Sequence, residues 1–290
     1  MQTVMHGEFR DNRFYESYHF AQQVTHMLRD RFGHLRELSE FYGDGNFIAF
    51  TTPFPKYSAF HHFIEFVVDR ILHDENCEVD LKRRKRDLED SLPDFGWDPR
   101  QLPIEKAFSF YDIENTTFEQ WLIDQGSSFL EAEPDDISDY ISDLALSSEY
   151  ELLLQRIVED VFFIMFQNRQ LLLLFNDMMA GQVASNNFDE IPDEYSGFFA
   201  RSGTLKRIDI PQWVKDAVYF RDRGRCVLCG CDLSRILSRL NVINYDHIVA
   251  LASGGLNDVT NIQVLCKACN FAKLHREAST SSFYESWYPF

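Results

Sequence analysis

Two C-x-x-C pairs, Cys226/Cys229 and Cys266/Cys269, carry the plainest chemical signal in the chain. Each such turn presents two sulfurs to one point, so the pairs can close a tetrahedral Zn²⁺ site. Four thiolates leave no open position, which makes that zinc structural: it clamps the start of a module to its last helix. Cys231 lies outside this complete set and reads as a bystander, as does Cys77. Between the clamps stands the dipeptide Asp246-His247. Metal-assisted hydrolysis needs a general base for water, a cation on the reacting group and leaving oxygen, and a group that holds the base in its productive tautomer. A histidine titrates near neutral pH and can be that base, and a carboxylate is a hard oxygen ligand for Mg²⁺.

The 36 residues between Cys229 and Cys266 exceed the spacing of a simple zinc ribbon and must hold structure of their own. NVINYDHI (241–248) alternates and is β-branched, as a strand; ALASGGLNDVTN is a loop with a Gly-Gly turn; IQVLC (262–266) is a second strand. KACNFAKLHREA (267–278) has helical character. Ahead of them, 210–220 forms a short amphipathic helix opened by Pro211, followed by a basic loop with Arg221, Arg223 and Arg225. A basic loop beside a zinc knuckle suits phosphate contacts that position a duplex.

Strand, loop, strand, helix between two C-x-x-C pairs, with Asp246-His247 and Asn261 inside, resembles the HNH nuclease family and its ββα-metal fold. The resemblance implies that His247 is the base, that Asn261 orders the loop and orients it, and that Asn270 occupies the third motif position, usually His. An amide oxygen still suits Mg²⁺, so the pattern resembles an HNN variant, with Asp246 and Asn270 holding Mg²⁺ or Mn²⁺. His275 is the alternative ligand. Lys273, one turn from Asn270, can reach either a phosphate or solvent.

Charge divides unevenly. Residues 1–200 hold 16 Lys and Arg against 38 Asp and Glu, a balance of −22, whereas 201–290 hold 12 against 8, or +4. Only the C-terminal part is suited to nucleic acid, here expected to be DNA. The basic run KRRKR (82–86) is flanked by acids at helical spacing and reads as a solvated, self-paired helix. The acidic stretch 111–147 reads as a polar surface loop plus a helix start, and His61, His62 and His73 lack a metal-site pattern.

Helical periodicity covers 15–42, weakened at Gly33, then 56–73, and one strong segment over 147–184. The expected architecture is therefore a mainly α, acidic domain (1–200) joined through the polar stretch 185–205 to an α+β HNH domain (206–278), with an aromatic tail (279–290) that packs back on the protein. No run of about 18 apolar residues exists and the first twenty residues lack an apolar core, so a cytoplasmic protein without membrane contact is expected. Two readings of function follow: a Mg²⁺-dependent endonuclease of defence or restriction type, or an inactive zinc-stabilised nucleic-acid-binding adaptor. In either, the acidic domain can recruit a protein partner or restrain the module by an autoinhibitory contact.

Overall fold

A computed structural model describes residues 13–43, 46–89, 98–185, 191–234, 241–273 and 278–285. Twelve α-helices and two small antiparallel sheets are found among them. The chain divides into two compact units, residues 1–20 with 65–161 and residues 21–64 with 162–290. The stretch 185–205 falls inside the second unit.

The first unit is helical: α4 (Leu81–Glu89), α5 (Pro103–Phe110), α6 (Phe118–Asp124) and α7 (Pro134–Leu144) lie within it. Phe108, Phe118 and Tyr140 fill its core. Two of these helices open on proline, whose fixed φ and missing N–H suit a first turn. The buried Glu105 carboxylate accepts the N–H of Leu102 at 2.5 Å and of Phe118 at 2.8 Å, tying the starts of α5 and α6 together. On α4, the basic run is anchored: Arg83 faces Asp87 at 3.8 Å, Arg84 donates to the carbonyls of Pro99 and Gln101, and Lys85 donates to that of Ala132.

In the second unit, the helix expected over 147–184 is two helices, α8 (Ser148–Met165), which begins in the first unit, and α9 (Arg169–Ser185). Asn168 breaks it, its side-chain oxygen capping the N–H of Leu171 at 3.2 Å. The periodic segment 15–42 likewise splits at 30–34 into α1 (Ser17–Arg29), which begins in the first unit, and α2 (Leu35–Tyr42), while 56–73 appears as α3 (Ala59–Cys77), which ends in the first unit. A hairpin that composition did not signal, β1 (Phe199–Arg201) and β2 (Thr204–Leu205), turns at Gly203 in the polar stretch.

The remainder of this unit includes α10 (Asp193–Ser196), α11 (Gln212–Arg221), β3 (Ile243–His247), β4 (Ile262–Cys266) and α12 (Lys267–Lys273). β3 pairs antiparallel with β4, placing Asp246 opposite Gln263 and His247 opposite Ile262. Val214 and Val218 of α11 pack on Val227, Leu233, Val259, Ile262 and Val264 in one core.

Segments distant in sequence lock the β3–β4 loop. The N–H of Phe54 donates to the Asn257 carbonyl at 2.8 Å, and the buried Asp258 carboxylate accepts the N–H groups of Ala59 and Thr260 at 3.0 and 2.9 Å. Asn176 on α9 donates to Thr260 at 3.2 Å. Gly254 adopts φ +86° with its α-carbon against the Ala180 carbonyl, so only glycine fits both the backbone and the space. No helix among the described residues is long and apolar enough to cross a membrane.

Candidate active site and metal centre

Strand alternation separates the two residues of the central dipeptide. His247 is buried at 5 % exposure, its Nε2 lying 3.2 Å from Asn257 Oδ1. Asn257 donates its amide N–H to the Lys206 carbonyl at 2.8 Å, which assigns its oxygen to the ring. His247 therefore carries its proton on Nε2 and keeps a lone pair on Nδ1. Burial holds its pKa down at about 4; the Asn257 hydrogen bond opposes this, Arg207 and Lys273 deepen it, and Asp246 counters them. The ring is neutral at physiological pH, as a proton acceptor must be.

Asp246 points to the other side. Its Oδ2 accepts from Lys273 Nζ at 2.7 Å and from Gln263 Nε2 at 3.3 Å, and Lys273 also donates to the His247 carbonyl. Two oxygens thus converge on one cation. That is the kind of hard donor pair a divalent ion takes, and it fits such an ion at Asp246. Asn270 stands three residues before Lys273 on α12, on the same side of the helix. The Lys273 side chain is only 3 % exposed and is held in this ion pair, which corrects its reading as a phosphate- or solvent-facing lysine. His275 lies outside the described residues.

Asn261 is fully buried. Its Oδ1 accepts the Val249 N–H at 2.8 Å while its amide donates to the carbonyls of Val249 and Leu256 at 3.0 and 2.8 Å. All of its polar capacity toward the backbone is spent on the loop that follows His247.

The thiols of Cys226, Cys229, Cys231 and Cys266 lie within 4.8 Å of one another. Cys229 and Cys266 are 3.8 Å apart, close to the edge of about 3.8 Å that tetrahedral Zn–S bonds of about 2.3 Å require. The cluster fits structural zinc. Cys231 belongs to it rather than standing aside, because the turn after Cys229 brings it back: its carbonyl accepts the Cys226 N–H at 3.0 Å. Cys269 stands outside this four-thiol group, although its thiol interacts with those of Cys266, Cys229 and Cys226. Burial pushes the Cys266 thiol up, and hydrogen bonds from Cys269, Cys229 and Cys226 outweigh it, leaving this thiol at about 7.

The arginines divide sharply. Arg221 is 1 % exposed, forks onto Asp222 at 2.9 and 3.1 Å and donates to the Ile262 carbonyl at 2.6 Å. It cannot contact a phosphate, which corrects that expectation: its place on α11 turns it into the core. Asp222 also takes Arg169 at 3.2 Å and the Val264 N–H at 2.9 Å. Arg223 and Arg225 remain at the surface, where Glu285 of the C-terminal segment engages both.

Asn257, Asp222, Arg169 and Glu285 escaped sequence reasoning. Asn257 is one of two asparagines in its loop and nothing in its spacing marks it. Asp222 is visible only as an acid inside a basic run.

A histidine and a carboxylate thus stand on a β-hairpin braced by a helix and a thiol cluster. Residues 226–276 match the family model of HNH endonuclease, and the chain carries an HNH endonuclease domain there. Searches of curated proteins and of solved structures found no match.

Proposed function

We propose that the protein is an HNH endonuclease that hydrolyses DNA phosphodiester bonds with Mg²⁺ or Mn²⁺. The observation that carries this reading is the pair Asp246-His247, one side chain on a cation-accepting oxygen pair, the other a neutral imidazole held by Asn257. In this reading His247 Nδ1 takes a proton from water as its oxygen forms a bond to phosphorus. The bond from phosphorus to the 3′ oxygen breaks and that oxygen takes a proton from solvent water, leaving 5′-phosphate and 3′-hydroxyl ends. Asp246 and Asn270 would hold the divalent ion, which supplies Lewis-acid stabilisation of the departing oxygen. Asn261 keeps the loop, and through it the base, in place, and Arg223 and Arg225 hold backbone phosphates.

Zinc is held by Cys226, Cys229 and Cys266, with the fourth thiolate from Cys269 or Cys231, and keeps the module folded. Thiolate zinc persists in a reducing compartment, which favours the cytoplasm. The balance of −22 over residues 1–200 repels polyanions and suits a restriction-type or defence nuclease kept off nucleic acid until triggered. The test is the purified chain with plasmid, single-stranded DNA and RNA in Mg²⁺ and in Mn²⁺. Nicked plasmid supports the reading. A shifted but uncut plasmid in both metals would replace it with the adaptor reading.

A further inference from the structure

Residues 278–285 lie as a strap over the HNH module. The N–H of Ser279 donates to the Ile248 carbonyl at 3.2 Å, Gln263 donates to the Ser279 carbonyl at 2.8 Å, and the Ser281 hydroxyl donates to the Val227 carbonyl. Arg169 is the anchor: Nε donates to the Ser281 carbonyl at 3.1 Å and Nη2 to that of Phe283 at 2.5 Å. Its guanidinium also lies 3.9 Å from the Tyr284 ring centroid. The only acid of residues 278–290 adds something else: the Glu285 carboxylate takes a two-pronged grip from Arg225, Nε at 2.5 Å and Nη2 at 2.6 Å, and the Glu285 carbonyl accepts from Arg223.

The pair borders a cleft of about 470 Å³ whose lining includes Arg169, Arg223, Arg225 and Glu285 together with Cys226, Cys229 and Asp222, the last already paired with Arg169 and Arg221. The guanidinium fork that receives a carboxylate receives two phosphate oxygens equally well. The pair is also built to part. Arg225 and Glu285 side chains are 31 % and 47 % exposed, where an ion pair is weak, in contrast to the solvent-free Arg221–Asp222 pair of the same loop.

We propose that the Arg223/Arg225 cleft is a phosphate subsite for the nucleic-acid backbone, that Glu285 is its resident anion, and that a backbone phosphate displaces Glu285 on binding. This rests on the nuclease reading above and adds to it a self-competing segment. The strap holds down basal affinity, so the enzyme engages a duplex only where other contacts compensate for releasing Glu285.

The experiment is the anisotropy of a short labelled DNA duplex, without added divalent cation, titrated with full-length wild type, Glu285→Gln, Arg225→Gln and the double variant. Glu285→Gln should bind about two- to fivefold more tightly at low salt, the range an exposed ion pair is worth. Arg225→Gln should weaken binding, and on that background Glu285→Gln should add little. Equal gains on both backgrounds would reduce Glu285 to general charge repulsion and overturn the proposal. So would an unchanged Glu285→Gln beside a wild type that binds. Failure of every protein to bind the duplex would sink the nuclease reading together with it. Unchanged thermal melting of Glu285→Gln ensures that the comparison concerns a seated strap, since Arg169 and Tyr284 are left intact.

Discussion

Acidification should expose the burial of His247. The ring, ordinarily near 6.5, is held at about 4 in the folded chain. A proton then binds the unfolded state first, so the contribution is complete above pH 6.5, is lost as pH falls, and is gone near pH 4. The gap corresponds to about 3 kcal/mol in full, of which about 2 kcal/mol is lost by pH 5. Urea unfolding at pH 7 and pH 5, without added divalent cation, should show wild type losing about 2 kcal/mol more than His247→Gln, whose side chain does not titrate. Parallel losses in the two proteins, or an imidazole NMR titration at 6.5 or above, would refute the buried, neutral base.

Three further outcomes follow from named contacts. Removing Cys226 and Cys266 together leaves three thiols and should abolish zinc retention, whereas Cys231→Ser and Cys269→Ser should each keep one zinc by atomic absorption, since either thiol can complete the set. Asp222→Ala strands two buried guanidinium groups and should cost about 3–5 kcal/mol in urea unfolding. Lys273→Met removes the ammonium from the Asp246 oxygen and should tighten Mn²⁺ binding, read by electron paramagnetic resonance of free Mn²⁺; an unchanged or weaker affinity would show that Lys273 does not compete with the metal.

The strand–loop–strand–helix order around Asp246, His247 and Asn261 was legible because alternation, a Gly-Gly turn and paired cysteines act over short distances. Spacing identifies a basic loop but not which arginine turns inward; for Arg221 that is decided by Asp222 and the Ile262 carbonyl across the core. Counting four ligands leaves no place for Cys231, yet the turn after Cys229 returns its thiol to the cluster. Asn257 was invisible because its role depends on Lys206 and Phe54, residues that only the folded chain brings to it. The break at Asn168 was hidden by apolar residues on both sides, which sustain periodicity through a cap.

Plasmid nicking in Mg²⁺ by wild type and His247→Ala tests the central claim most directly. A positioned general base contributes about a hundredfold or more to the rate, so His247→Ala should nick at least about a hundred times more slowly while still binding zinc and melting as a folded protein. Equal nicking by the two proteins would contradict the assignment of His247 as the base.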